Sequence, residues 1–166
     1  MKIPIWIVDA FTDKPFSGNP AAVCLLEEDI PDTLKQSVAA EMNLSETCYV
    51  SKVENCSFSE GNQFGLRWFT PTNEVPLCGH ATLAAATVLF QVNKNLNEVI
   101  KFDTLSGVLE AKRRGARVVL DLPLNTPEVV NEGDFKELVK EVCCGLPVQN
   151  VLISKTTRKL LIRLQV

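Results

Sequence analysis

Two periods alternate along this chain, and each predicts a kind of element. Residues 2–11 are rich in β-branched and aromatic side chains and predict a buried strand. After the turn signal FSGNP, residues 21–26 predict a second strand, ended by Glu27, Glu28 and Asp29. From Pro31 and Asp32 onward, Leu34, Val38 and Met42 recur at helical spacing, the pattern of an amphipathic surface helix. Residues 47–53 read as a strand, and in the run NQFGLRWFT the residues Phe64, Leu66 and Trp68 share one side. Pro71 and Pro76 bracket a loop.

From His80 to Val92 the chain is uncharged and almost uniformly apolar or small. A helix that is apolar all round must be surrounded by protein, so this segment is expected to be the central element, wrapped by the strands on both sides of it in sequence. Residues 98–124 read as three strands, with tight turns at Ser106-Gly107 and Gly115. Pro123 and Pro127 mark a boundary. Beyond it, Phe135, Leu138, Val139, Val142 and Cys143 line one face of a second amphipathic helix stopped by Gly145, and two more strands follow. The expected organisation is a first lobe over residues 1–123 and the beginning of a second, incomplete lobe over 124–166. One helix and two strands bury too little, so Phe135, Leu138, Val142, Leu160, Leu161 and Ile162 are expected to be poorly covered.

Composition narrows the function classes. The chain has 166 residues, 46% hydrophobic and 22% charged, the profile of a globular protein. A net charge of −3 argues against a general nucleic-acid or anionic-membrane binder. The basic cluster Lys112, Arg113, Arg114 and Arg117 brackets Gly115 and reads as a solvated hairpin tip. No secretory signal or membrane-length apolar run is present. The six cysteines form no C-x-x-C pair and there is one histidine, so a zinc finger is excluded; reduced thiols in a cytoplasmic protein are expected.

Candidate chemistry gathers where the apolar helix begins. Free backbone N–H groups of a first turn can hold a carboxylate or a phosphate, and Gly79 would let a ligand come close. His80 could donate to that ligand or pass a proton; by spacing alone it could equally cap its helix. Cys78 is either an activated thiol at a helix N-terminus or a small buried hydrophobe. Glu46, between a helix and a strand, is a general base if partly desolvated and otherwise a solvated loop residue. Asn19 is a turn residue that could also reach a ligand.

DAFTDKPFSGNPAAV, EMNLSET and RWFTPTNEVPLCGHATLAAA occur in this order, and together they resemble the phenazine-biosynthesis-like (PhzF-type) family, its mammalian members most closely. The resemblance implies an α+β, diaminopimelate epimerase-like fold: two lobes, each a barrel-like sheet around a central helix, with the active site in the cleft between them. It implies an isomerase that needs no metal or organic cofactor and moves a proton within a small carboxylate-bearing substrate. Glu46 matches the family's catalytic glutamate, and Gly79 and His80 match its substrate-binding pair; Asn19 is a further candidate binding residue. In the epimerase relatives a cysteine before the glycine is one of two thiol bases; Cys78 holds that place, but no second thiol can be assigned, so two-thiol racemisation is not expected. With about one lobe present, the chain is expected to be inactive alone and to associate with itself or a protein partner. The alternatives are a non-catalytic interaction protein that keeps the fold, and a thiol-based function at Cys78.

Overall fold

The computed structural model describes residues 2–53 and 56–165. In chain order the elements are β1 (Ile5–Ala10), β2 (Asn19–Leu26), α1 (Asp32–Met42), β3 (Glu46–Lys52), β4 (Gln63–Phe69), β5 (Glu74–Val75) and α2 (Gly79–Thr87). A π-helical turn over Val88–Val92 extends α2. Then come β6 (Val99–Thr104), β7 (Gly107–Arg114), β8 (Arg117–Asp121), β9 (Glu128–Val129), a 3₁₀ turn at Glu132–Phe135, α3 (Lys136–Cys143), β10 (Val148–Ser154) and β11 (Lys159–Leu164). Residues up to Leu122 form one compact unit and residues from Pro123 another.

In the first unit the sheet runs β1-β2-β3-β4-β6-β7-β8, with β5 paired to β4. The β2–β3 and β4–β6 pairs are parallel and the others antiparallel. Helix α2 packs on β1, β2 and β3 and also on β8, the opposite edge, so the sheet curls around it. Alternation decides which side chains meet the helix. Val23 and Leu25 of β2, Cys48 and Val50 of β3, and Phe64, Leu66 and Trp68 of β4 point inward and are buried with α2. Ala81, Ala84, Ala85 and Ala86 let the helix approach the sheet closely, and six of its residues are buried against two each in α1 and α3. The α+β class with a central apolar helix is the one expected.

The expected single helix from His80 to Val92 changes form at Val88. The final turn widens to π geometry, with Asn93 N–H bonded to the carbonyl of Val88. The wider turn buries Val88, Leu89 and Phe90 together.

The outer face of β2, β3 and β4 carries α1, against Cys24, Leu26, Tyr49 and Phe69. The expected face of Leu34, Val38 and Met42 is only half-buried; Ala39 and Lys35 are fully buried. Lys35 is tolerated because its ammonium meets Asp29 at 2.8 Å and Asp32 at 3.3 Å, and the Tyr49 hydroxyl donates to its carbonyl at 2.6 Å. Arg67 joins the same network, donating to both oxygens of Asp32 and of Glu74. The basic hairpin tip is exposed from Arg114 to Arg117, as expected, but Arg113 is not free: its guanidinium stacks over Phe90 at 4.7 Å and donates to the carbonyls of Asn95 and Asn97.

In the second unit, β9, β10 and β11 form a sheet that α3 covers through Val139 and Cys143, packed on Val151. Phe135, Leu160 and Ile162 are half-buried beside them, while Leu138, Val142 and Leu161 are at least half exposed. The face read from spacing for α3 is therefore narrower than five residues.

Candidate active site

Register brings the candidate residues to one end of the curled sheet. Asn43 adopts a left-handed conformation (φ 51°) that ends α1, its N–H returning to the carbonyl of Ala39 at 3.1 Å. The chain then turns through Ser45 into β3. Glu46 pairs with Ala21 of β2 and lies on the same side of β3 as Cys48 and Val50. The side of the strand that faces α2 thus ends in a carboxylate rather than an apolar group. Cys78 is the extended residue that precedes α2, and His80 occupies its first turn, so both reach the end of the helix that Glu46 faces.

Glu46 Oε2 stands 3.3 Å from His80 Nε2, with the glutamate side chain 18% exposed and the histidine 9%. Oε2 is buried yet accepts no well-directed hydrogen bond, so the pair is close but angularly poor. Ser45 Oγ lies 3.2 Å from the same Nε2, and Cys78 Sγ lies 3.3 Å from Nδ1. Both ring nitrogens are therefore engaged. Ser45 escaped the sequence reading; the one signal for it is its place directly before Glu46.

The Cys78 thiol is pushed up to about 11, chiefly by burial and further by the Glu46 carboxylate, while the backbone N–H groups of Ala81 and His80 oppose the rise. A helix N-terminus stabilises a nearby anion by about 0.3–1 kcal/mol, whereas burial can move a pKa by up to about 3–5 units. Burial wins here, and Cys78 is a thiol at neutral pH. No side chain caps the first turn of α2, so its leading N–H groups, that of Gly79 among them, can meet an incoming anion. A Cβ added at Gly79 would meet only Leu122, at 3.8 Å, so one side of this turn is open. Asn19 opens β2, exposed, two residues before Ala21 and on the same side of the strand.

Glu46, Cys78 and His80 offer ligand atoms within 4.8 Å of one another, and their chemistry is that of a zinc site. Sγ and Oε2 approach different ring nitrogens, however, so one cation could take all three only if the ring or the carboxylate moved. A cleft of about 950 Å³ runs along another side of α2, lined by Leu83, Thr87, Gln91 and the edges of β1 and β8; it includes none of the three. That cleft carries Asp9, Asp13, Lys14 and Arg117, whereas Glu46, Cys78 and His80 converge at the N-terminal end of α2. No helix among the described residues is long and apolar enough to cross a membrane.

The family model "Phenazine biosynthesis-like protein" matches residues 8–165. A phenazine biosynthesis-like domain-containing protein of Bos taurus is 51% identical over 165 residues, 99% of this chain and 57% of the relative. An "uncharacterized isomerase" of Pseudomonas aeruginosa is 46% identical over 165 residues, covering 99% and 58%. The crystal structure of a phenazine biosynthesis protein of the PhzF family from Enterococcus faecalis superposes with a TM-score of 0.82 at 38% identity, covering 99% of this chain and 58% of that one. The chain thus spans rather more than half the length of the relatives it matches.

Proposed function

This chain belongs to the phenazine biosynthesis-like protein family, and on that premise we propose that it carries the proton-transferring site of an isomerase acting on a small carboxylate-bearing molecule. Isomerase is the coarse reading that the bacterial relative's name supports. The observation that carries the finer one is the 3.3 Å approach of Glu46 to His80 at the first turn of α2. Glu46 is the general base that removes a proton from carbon and, as the acid so formed, returns it to another carbon. A base whose Oε2 is buried and accepts no hydrogen bond gives up little solvation when it takes a proton. His80 binds and polarises the substrate, and the Gly79 N–H receives its carboxylate. Asn19, two residues from the Glu46 register, is proposed to touch the substrate from β2. No cofactor enters the scheme. Turnover by this chain alone is expected to be low, since it spans only 57–58% of the length of these relatives.

Thermal denaturation of the chain with a panel of small carboxylates tests the binding half, and assay of the same panel for positional isomers tests the chemistry. Carboxylates that raise the melting temperature of the wild type but not of His80→Ala support the reading. Equal stabilisation of both proteins, with no isomer formed, contradicts it.

A further inference from the structure

Both nitrogens of the one histidine have neighbours, and the two sides differ in what they can offer. Nδ1 faces Cys78 Sγ at 3.3 Å, its one hydrogen-bond partner among the described residues. Nε2 faces Ser45 Oγ at 3.2 Å and Glu46 Oε2 at 3.3 Å. A neutral imidazole carries its proton on one nitrogen and accepts on the other. We propose that Cys78 is the positioning residue that selects between these forms: its S–H donates to Nδ1 and leaves the ring proton on Nε2, facing Glu46 and Ser45.

Each side of the ring supports this form independently. On the sulfur side, burial keeps Cys78 protonated at neutral pH, so it has a hydrogen to give. On the other side, Oε2 is a buried acceptor without a well-directed donor, and a small rotation of the ring would aim an Nε2–H at it. The opposite tautomer would turn a lone pair of Nε2 towards a carboxylate, setting two acceptors against each other. The Glu46 carboxylate, which also acts on the Cys78 thiol, is the competing acceptor for the S–H. The consequence for the site rests on the isomerase reading above: His80 would present an N–H, not a lone pair, to whatever Glu46 deprotonates. Cys78 would act through His80 without touching the substrate.

The chain contains a single histidine, so ¹⁵N-histidine labelling gives one imidazole. Correlation to the carbon-bound ring protons identifies each nitrogen. The expected spectrum of the wild type, recorded above the titration of the ring, has the protonated nitrogen at ε2 and a hydrogen-bonded acceptor at δ1. Cys78→Ser keeps a donor and should keep this pattern. Cys78→Ala should lower the ratio of the Nε2–H to the Nδ1–H form about fivefold, the worth of one neutral hydrogen bond, and move δ1 towards a free acceptor. A proton on δ1 in the wild type, or an alanine spectrum identical to the wild type, overturns the proposal. If Cys78→Ala does not fold, the wild-type and serine spectra still decide, because a δ1 without an accepted hydrogen bond in the wild type also overturns it. The readout needs no substrate, so failure of the isomerase reading leaves it intact.

Discussion

Glu46 and His80 meet at 3.3 Å from opposite sides of a layer boundary, one at the first residue of β3 and the other in the first turn of α2. The contact follows from register. The inward side of β3 is apolar at Cys48 and Val50 and acidic only at Glu46, where the strand reaches the helix end. A carboxylate that faces the core at a strand end is only partly hydrated, which is what a general base requires.

Val88 and Leu83 separate two roles of α2 and its extension. Val88 is fully buried in the first unit's core, while Leu83 is half-buried and lines the open cleft. Val88→Asp should cost more than about 4 kcal/mol and prevent folding, because an unpaired charge is forced into the core. Leu83→Asp should cost about 1–2 kcal/mol, since its carboxylate can reach water. Soluble expression and urea denaturation of both variants check this; equal losses would contradict the curled-sheet arrangement.

Much of this arrangement is legible in the sequence. The period of two in β4 puts Phe64, Leu66 and Trp68 on one side, and the unbroken apolarity of α2 marks it as central. Lys35 is not legible, because its burial depends on Asp29 and on the Asp32–Arg67 pair brought by tertiary packing. The π turn at Val88 has no local breaker to announce it. At the site, the motifs single out Glu46, Gly79 and His80, but only the folded chain brings Ser45 and Cys78 to opposite nitrogens of the ring.

Lys35 offers a test of how its buried charge is maintained. Lys35→Met fills similar space without charge and should change stability by less than about 1.5 kcal/mol. Lys35→Ala should cost about 2–4 kcal/mol through the cavity it leaves. At roughly 2–4 °C per kcal/mol for a chain of this size, thermal denaturation resolves the two. Equal losses would mean that the ion pairs, not the packing, hold α1 in place.

The buried thiols predict alkaline destabilisation. Burial raises Cys78 from 9.0 to about 11 and Cys24 to about 12. Above pH 9 the unfolded chain releases these protons while the folded chain retains them. Stability is therefore full below about pH 9 and falls as pH rises towards the folded-state values. Each thiol should contribute up to about 1.4 kcal/mol per pH unit in that window. Urea midpoints measured across the alkaline range should fall less steeply in Cys24→Ala; an identical slope would contradict the assignment. Iodoacetamide near neutral pH should likewise modify Cys78 at least about a hundredfold more slowly than exposed Cys144.

At acid pH the network around α1 is the sensitive part. The Arg67 guanidinium holds Asp32 down at about 2, with Lys35 adding to the effect. A depressed carboxylate stabilises the fold above its ordinary value near 3.8 and loses that contribution as pH falls towards 2. Asp32→Asn should flatten the acid limb of the stability profile, read from thermal melts; an unchanged limb would show that the pair is not coupled to folding.

The proton-carrying role of Glu46 is the centre of the account, and solvent exchange tests it most directly. A carboxylate that binds the chain is incubated with it in D₂O, and carbon-bound deuterium is followed by NMR. Wild-type chain should catalyse exchange at one carbon position, and Glu46→Gln should reduce the rate by about 10²–10⁴-fold while binding the same carboxylate with little change. Exchange by Glu46→Gln at the wild-type rate would contradict the account.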